Sequence, residues 1–449
     1  MNIGEIYDTD ITKLTSAGTG LTKIDGIVTF VKNACPEDKL KIKITKINKN
    51  FANAEIVEIL KPSIHRIAPL CPMQKVCGAC QIQYIDYDYQ LEIKRQIVQD
   101  TMHAIGGLDI EIPNTIPSPQ IRNYRHKIQY PISQTKNSKK IIAGYYKTGT
   151  HEAVNIKYCP IQPEICDEII EYIRENITKF GITGYNEKFH KGCLRHVVIR
   201  HSNKNNNCLV TLVINSDKVL ENINKFAKEL FNEFNQIIGV SINFNNKRTN
   251  IILGETTKCI YGNNYIEEKI CSKTFHIGAD TFFQINPESA QNIFNYIKEF
   301  IKTNYKEPLI LDAYAGISAI GICMSDIANK IVSIEENIKS VELAQKTAKL
   351  NLIKNIEING GDAGEFLKNE TRKFDIIILD PPRKGCSQES LNYALKLCRG
   401  YIIYVSCNPA TLARDIKHLK DKGAEVKSIQ PFDMFCHTIH IENVAIIKV

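Results

Sequence analysis

The residue of this chain best suited to nucleophilic chemistry is Cys407, which stands between an apolar run and Asn408-Pro409. Residues 401–405 are β-branched or aromatic and predict a buried strand. The Asn-Pro pair ends that regular structure. Cys407 is therefore expected at the C-terminal edge of a sheet, where α/β folds build their active sites. A single cysteine is more often a small buried apolar residue, so the assignment depends on its partners.

Acids and a glycine recur at the ends of predicted strands in the C-terminal part of the chain. Gly316 follows a strand that ends at Asp312, Glu335 ends the next strand, and Asp380 ends a later one. Such a glycine lets a ligand approach the backbone, and an acid about twenty residues on can bind two ribose hydroxyls. Ser318 replaces the second glycine of a dinucleotide motif. With the Asp-Pro-Pro step, the pattern favours S-adenosylmethionine as the cofactor.

The residue after Asp380-Pro-Pro favours a carbon atom as the methyl acceptor. Enzymes that methylate exocyclic amines have an aromatic ring at this place, whereas this chain has Arg383. C5 of uracil becomes nucleophilic when a thiolate adds to C6, and Cys407 can supply that thiolate. Glu442, at the start of the last predicted strand, is the candidate base for the C5 proton. On the sequence alone, a surface glutamate is the simpler interpretation of Glu442.

Three closely spaced cysteines, Cys71, Cys77 and Cys80, predict a metal-binding loop. Their spacing brings three thiolates to one centre, and Gly78 lets the backbone fold tightly. Cys159, which precedes a proline, is the best candidate for a fourth ligand. Four thiolates suit zinc or an iron–sulfur cluster. Because C-x5-C-x2-C is not a pair of C-x2-C units, a [4Fe-4S] cluster is favoured over zinc.

The elements that would position these residues fall into three predicted domains. Residues 1–62 contain short strands typical of an OB-like β-barrel, a frequent RNA-binding fold, although a purely structural module is the alternative. Residues 63–279 form a central α+β domain that carries the cysteines, with a helix over 86–106. Residues 280–449 alternate strands and helices, as in a doubly wound, Rossmann-like parallel sheet.

Residues 121–151 combine seven Lys/Arg with four tyrosines and no acid. Tyr124, Tyr130, Tyr145 and Tyr146 interleave with the basic residues, which suits phosphate contact and base stacking on single-stranded RNA. An exposed basic hairpin is the alternative. A second basic cluster, Arg195-His196 with Arg200-His201, flanks a strand and is explained almost as well by a solvated β-surface.

The composition restricts the class of protein. A net charge of +8 is compatible with a nucleic-acid partner without requiring one. No apolar run approaches the roughly 18 residues of a membrane span, and the N-terminus lacks a secretory signal. Fifteen cysteines then indicate a reducing cytosol, in which thiols are free, catalytic or metal-bound. We expect a cytoplasmic protein and, by default, a monomer.

The ordered set of motifs resembles the uracil-5 RNA methyltransferases, in particular the branch with an N-terminal TRAM domain and a [4Fe-4S] cluster that modifies 23S ribosomal RNA. It comprises the cysteine motif with Cys159, D-x-F-x-Q-x-N at residues 280–286, the Tyr314/Gly316 loop, Asp380-Pro-Pro-Arg, and residues 406–409 and 440–442. The family usually has a second glycine where this chain has Ser318.

The resemblance implies a role for each group of residues. The residues that contact S-adenosylmethionine would be Gln284, Tyr314, Glu335 and Asp380. Cys407 would be the nucleophile and Glu442 the base. The cluster would be held by Cys71, Cys77, Cys80 and Cys159. The TRAM and central domains would hold the RNA, which we expect to be free or partly assembled 23S RNA.

Three other functions compete with this interpretation. Enzymes that form 5-methyluridine in the T-loop of transfer RNA generally lack the TRAM-like domain and the cysteine motif, so the N-terminal 160 residues argue against that substrate. A non-catalytic RNA-binding or ribosome-assembly factor would not need an intact Cys407, Glu442 and Asp380. A ferredoxin-like redox protein would not need the methyltransferase sheet. The sequence does not identify the target uridine.

Overall fold

The computed structural model describes all 449 residues, which form two compact units. The first unit contains Met1–Ser118, Pro382–Gly385 and Val405–Ile446. The second contains Pro119–Pro381, Cys386–Tyr404 and Ile447–Val449. These units are discontinuous in sequence, and the three predicted domain boundaries stay predictions. No helix of the structure has the length and apolar character needed to cross a membrane.

The first unit begins with a six-stranded sheet in the order β1-β5-β6-β4-β3-β2. Alternate side chains of β5 point to opposite faces, so Leu40, Ile42 and Ile44 are buried in the core beneath it. We predicted a five-stranded barrel; the additional strand is the two-residue β2. The strands are β1 Ile6–Asp10, β2 Lys13–Leu14, β3 Gly20–Ile24, β4 Ile27–Val31, β5 Lys39–Ile47 and β6 Phe51–Lys61.

Helix α1, Tyr87–Ala104, follows in the same unit and agrees with the predicted helix. It begins where Asp86 accepts a hydrogen bond from the backbone N–H of Tyr89 (2.9 Å), a standard N-cap. Its apolar side chains at intervals of three and four residues are buried. The unit also contains α9 Pro409–Asp421, β20 Glu425–Phe432 and most of β21 Glu442–Lys448, in which β20 and β21 are neighbours.

The second unit contains a mixed six-stranded sheet in the order β12-β11-β10-β9-β7-β8, together with a hairpin of β13 and β14. Its strands are β7 Lys127–Gln134, β8 Ile141–Ala143, β9 Leu194–Ser202, β10 Asn207–Ile214, β11 Ile237–Phe244, β12 Thr256–Gly262, β13 Tyr265–Ile270 and β14 Lys273–Gly278. Its helices are α2 Glu164–Asn176, α3 Glu221–Glu233 and the 3-10 turn Ile177–Phe180.

Two expectations about this sheet are wrong. Tyr124 and Tyr130 are 2% and 0% exposed, so they are core residues and cannot stack on RNA. The Arg and His residues of β9 do not form a solvated surface either, because all nine residues of the strand are buried. β9 is paired with β7 on one side and β10 on the other, and its arginines donate to loop carbonyls. Buried cations of this kind need such partners.

The remaining elements of the second unit alternate strand and helix, as predicted. Five strands pair in parallel in the order β17-β16-β15-β18-β19. The strand order reverses between β15 and β18, and ligands of open α/β sheets bind at such a point. The elements are α4 Pro287–Asn304, β15 Leu309–Ala313, α5 Ala319–Met324, β16 Lys330–Glu335, α6 Ile338–Leu350, β17 Ile356–Gly360, α7 Ala363–Asn369, β18 Phe374–Leu379, α8 Gln388–Leu397 and β19 Cys398–Ser406.

Candidate active site

The loop after β15 is held in an uncommon backbone conformation. Tyr314, Gly316 and Ser318 all have positive φ angles (63°, 59° and 56°), which cost energy in the two residues that are not glycine. Ser318, at the place where a second glycine was expected, makes a side-chain hydrogen bond of 2.7 Å with Ser333. A glycine at this position could not make that hydrogen bond, which explains the serine in structural terms.

Asp312 is a buried carboxyl group at the end of β15. Its Oδ2 accepts a hydrogen bond from the Gly321 N–H (3.0 Å), whereas Oδ1 has no hydrogen-bond partner. Burial raises its pKa to about 7, and the charge of Glu335 acts in the same direction. Gly321 permits this arrangement, because a Cβ there would lie 2.9 Å from Oδ2 and 2.8 Å from Ser318 Oγ.

Asp380 follows β18, the neighbour of β15, and places a second carboxyl group at the same crevice. Its backbone N–H donates to the Ala313 carbonyl (3.4 Å). Burial, with the charge of Asp312 added, raises its pKa to about 7. Two acids that each oppose ionisation of the other favour a cationic ligand. S-adenosylmethionine carries a sulfonium and an ammonium group, and the residues therefore fit this cofactor.

Glu335 lies beside the same loop, as the sequence predicted. Its Oε2 accepts a hydrogen bond from the Gly316 N–H (2.8 Å), and its Oε1 accepts one from the Asn337 N–H (2.9 Å). Its carboxylate is thus fixed at the end of β16. Asp362, after the next strand, caps helix α7 by accepting from the Glu365 N–H (2.9 Å).

The D-x-F-x-Q-x-N segment is fixed to the mixed sheet of the second unit. Arg200 donates to the carbonyls of Ala279 (3.4 Å) and Thr281, and the His126 N–H donates to the Ile285 carbonyl (2.7 Å). Gln284 lines a small cavity with His126 and Arg200. These hydrogen bonds hold the backbone of the segment in place beside the sheet.

Two aromatic rings complete the surroundings of the Gly316 loop. Tyr314 is half-buried beside Cys386, and burial raises the pKa of its phenol well above the usual value. Phe282 is 60% exposed, and its ring lies 3.7 Å from where a Cβ on Gly316 would be. Phe282 belongs to the D-x-F-x-Q-x-N motif, but no role was predicted for it from the sequence, since only the tertiary structure shows an exposed ring over this loop.

Cys407 lies in the first unit, directly after β19 and ahead of helix α9. Asn408 caps that helix by accepting from the Ala410 N–H (3.1 Å), and its side chain donates to the Arg383 carbonyl (3.2 Å). The loop that contains Arg383 is thereby tied to the start of α9. A thiol at a helix N-terminus is favoured as thiolate by the helix dipole. Cys407 is partly exposed, as a nucleophile must be.

Glu442 is 3% exposed, so the interpretation as a surface glutamate is wrong. The next residue, Asn443, donates its side-chain amide to the Ser406 carbonyl (3.2 Å). This hydrogen bond joins the end of β19 to the start of β21. Its two partners, Ser406 and Asn443, are the sequence neighbours of Cys407 and Glu442. This bond brings the backbone of a buried acid near that of a partly exposed thiol.

The segment that leads to Glu442 is anchored on α1 and on the chain after Cys80. Lys94 and Asp433 form an ion pair of 2.6 Å in which both side chains are 0% exposed. Gln90 accepts from the His437 N–H (3.1 Å), and the Ile82 N–H donates to the His437 carbonyl (3.0 Å). Gln81 in turn accepts from the Ile439 N–H (3.3 Å). The segment before Glu442 and the chain after Cys80 thus support each other.

The cysteine loop contains thiols that could bind a soft metal, but they are not arranged around a common centre. Cys71 and Cys77 are buried, and burial raises the pKa of Cys77, to which the nearby Cys71 contributes. Cys159 is buried in the second unit, where its N–H donates to Asp167 (3.1 Å). No group of three or more His, Cys, Asp or Glu side chains is arranged to hold a metal. The structure thus does not show the predicted metal site.

The raised pKa values of the two aspartates predict how cofactor binding depends on pH. Since a cation favours the ionised acids, affinity for S-adenosylmethionine should fall below pH 7, by up to about tenfold per pH unit for each acid that must ionise. Between about pH 4 and pH 7 the two aspartates are protonated in the folded protein but ionised in the unfolded chain. The free energy of unfolding therefore falls as the pH rises through this range. Asp312→Asn should therefore raise the melting temperature without cofactor at pH 8 and remove the cofactor-induced shift.

Thermal unfolding with and without S-adenosylmethionine, from pH 5.5 to 8.5, checks this prediction. The control is Asp326→Asn, whose carboxylate pairs with Lys298 on the surface and should leave both quantities unchanged. An affinity of the unaltered protein that does not change with pH would contradict the role assigned to the two aspartates.

Comparison with known proteins adds to this geometry. A tRNA (uracil-5-)-methyltransferase family model matches residues 86–448, and a TRAM domain model matches residues 2–57. An uncharacterized RNA methyltransferase of Oceanobacillus iheyensis is 36% identical over 450 residues, covering 99% of this chain and 97% of the relative. Another from Fusobacterium nucleatum is 37% identical over 452 residues, covering 100% and 97%.

One solved structure is similar over nearly the whole chain. It is the Pyrococcus abyssi tRNA (uracil-54, C5)-methyltransferase in complex with S-adenosyl-L-homocysteine. The TM-score is 0.79 at 25% identity, and the match covers 98% of this chain and 100% of that one. The similarity therefore includes the N-terminal part as well as the methyltransferase sheet.

Proposed function

The chain belongs to the tRNA (uracil-5-)-methyltransferase family of S-adenosylmethionine-dependent enzymes and carries a TRAM domain, and from this premise we propose that it methylates C5 of a uridine in 23S ribosomal RNA. The observation that supports the chemistry is the hydrogen bond between Asn443 and Ser406, which links the residue after Glu442 to the residue before Cys407. We place the reaction in the cytosol, on free or partly assembled RNA.

The proposed reaction uses one nucleophile and one base. The Cys407 thiolate adds to C6 of uracil, which makes C5 the nucleophile that takes the methyl group. S-adenosylmethionine supplies that methyl group when bound, held by Gln284, Tyr314, Glu335 and Asp380. Glu442 then accepts the C5 proton, and the bond between C6 and Cys407 breaks as the ring double bond re-forms. RNA structure must present the uridine out of its stack.

RNA that carries 5-fluorouridine tests the nucleophile. Because fluorine at C5 cannot be removed as a proton, the covalent intermediate should accumulate in the presence of S-adenosylmethionine. Mass spectrometry of digested protein should locate the adduct on Cys407, and sequencing of the attached RNA would identify the uridine. Cys407→Ala should give no adduct, whereas Cys193→Ala, a partly exposed thiol elsewhere, should behave as the unaltered protein. An adduct on another residue would overturn the mechanism.

Transfer RNA is the second candidate substrate. The match to the Pyrococcus abyssi enzyme named for uracil-54 of tRNA covers 98% of this chain, including its N-terminal part. From the sequence we took the N-terminal 160 residues as evidence against a tRNA substrate, and this similarity removes that objection. Methyl incorporation should be compared on 23S RNA and tRNA transcripts of the same organism. We expect incorporation into 23S RNA, and incorporation into tRNA alone would replace our proposal with T-loop methylation.

We further propose that Cys71, Cys77, Cys80 and Cys159 hold a [4Fe-4S] cluster with a structural role. Anaerobically purified protein should contain iron and acid-labile sulfide in equal amounts, about four of each for a cluster of this type. Cys77→Ser should lose both and lower the melting temperature, because the same loop supports the segment before Glu442. Cys193→Ser should keep both. Zinc in place of iron would support the alternative metal, and the absence of both metals would overturn the site.

A further inference from the structure

A cavity of about 890 Å³ lies within the second unit, apart from the residues assigned so far. It is lined by residues of β7, β8 and β9 and by three loops, at 146–153, 185–188 and 249–252. Its volume is in the range of sites that enclose a small organic molecule.

Aromatic rings form part of the cavity wall. The rings of Tyr146 and His151 are stacked, with centroids 5.2 Å apart and an interplanar angle of 25°. The guanidinium of Arg195 lies 4.6 Å from the centre of the Tyr185 ring. Planar groups of these kinds are the partners on which unpaired bases stack in RNA-binding proteins.

Two buried polar side chains also line the cavity. Arg195 is 3% exposed and donates to the carbonyls of Asn245 (2.6 Å), Lys247 (2.7 Å) and Thr249 (3.2 Å), which fixes that loop. His196 is 8% exposed, and its Nδ1 has no hydrogen-bond partner. Burial and the charge of Arg195 lower the His196 pKa to about 4, so the ring is neutral near pH 7. A neutral imidazole can donate one hydrogen bond and accept another.

The acids at the cavity favour a base over a phosphate. Glu187, 3.0 Å from His151 Nδ1, lines the cavity together with Glu152. These two acids balance the charges of Lys188 and Arg195 in the lining. Carboxylates repel phosphate, but they accept hydrogen bonds from the exocyclic amines of bases. Adenine, cytosine and guanine have such an amine, whereas uracil does not.

We infer that this cavity binds an unpaired, amine-bearing nucleobase of the RNA substrate, a second nucleotide distinct from the uridine that reacts. The inference rests on the proposed function for the identity of the RNA, and on the stacked rings and the buried arginine and histidine for the site. Part of the preference for particular RNA sequences would then come from the mixed six-stranded sheet of the second unit.

Short labelled oligoadenylate, oligocytidylate and oligouridylate provide the test by fluorescence anisotropy. Oligoadenylate or oligocytidylate should bind more tightly than oligouridylate. Tyr146→Ala should weaken that binding about tenfold, as loss of one base stack does, and remove the preference, whereas Tyr146→Phe should restore both. The control is Tyr172→Ala, a half-buried tyrosine that contacts Phe234 and does not line the cavity. The thermal shift with S-adenosylmethionine shows that each variant is folded.

Five outcomes separate the possibilities. Equal binding of all three oligonucleotides, or binding unaffected by Tyr146→Ala, overturns the inference. AMP bound as tightly as oligoadenylate also overturns it, because the site would then serve a free nucleotide. A protein that methylates no RNA yet shows the predicted preference would contradict the proposed function and support the base site. If the protein methylates RNA, and Tyr146→Ala raises KM without changing kcat, the result supports both the proposed function and the base site.

Discussion

Replacement of Glu442 by glutamine is expected to leave the protein covalently attached to ordinary, unfluorinated RNA. The amide keeps the size of the side chain but cannot accept the C5 proton, so methyl transfer can occur while release of Cys407 cannot. Turnover should fall by about 10²–10⁴, the usual contribution of a general base. Because Glu442 is buried next to Asn443, an isosteric change is preferable to alanine, which would leave a cavity.

The measurement combines rate and trapping. Methyl incorporation under multiple turnover gives kcat, and denaturing gel electrophoresis with labelled RNA shows the adduct. Glu365→Gln, an exposed residue in the first turn of α7, is the control and should show neither effect. A variant that turns over slowly without any trapped RNA would assign proton removal to another group, and Glu442 would then be a positioning residue.

Breaking the buried pair between Lys94 and Asp433 is expected to have the largest effect on stability. Lys94→Met leaves the Asp433 carboxylate buried without its cation, which costs about 3–5 kcal/mol. Lys94 also donates to the Phe435 carbonyl (3.1 Å), so the segment before Glu442 loses a second attachment. The variant should therefore lose activity as well as stability.

Urea unfolding of the unaltered protein and three variants checks this expectation. Removal of both charges, in Lys94→Met with Asp433→Leu, should recover most of the loss, because buried ion pairs contribute little net stability. Lys41→Met, which breaks an exposed pair with Glu58 (3.0 Å), should change the stability far less. If Lys94→Met were as stable as Lys41→Met, water would have to reach Asp433 in the folded protein.

The sequence was most informative about elements whose apolar pattern is regular. The strand Lys330–Glu335 and the helix Tyr87–Ala104 agree with prediction closely, because their periodicity and caps are local properties. β9 shows the limit of that method. Its flanking arginines and histidines suggested an exposed surface, whereas pairing on both sides and the loop carbonyls bury all of them.

The sequence alone shows which residue types are available for chemistry: a cysteine after a strand, acids at strand ends, and a family-specific order of motifs. Which of them lie close together depends on the fold. The charges of Asp312 and Asp380 act on each other because β15 and β18 are neighbours, and the chain at Glu442 is linked to the chain at Cys407 because Asn443 reaches Ser406. The physical reason is that pKa values, burial and cavities arise from contacts between residues far apart in the chain, which no local pattern encodes.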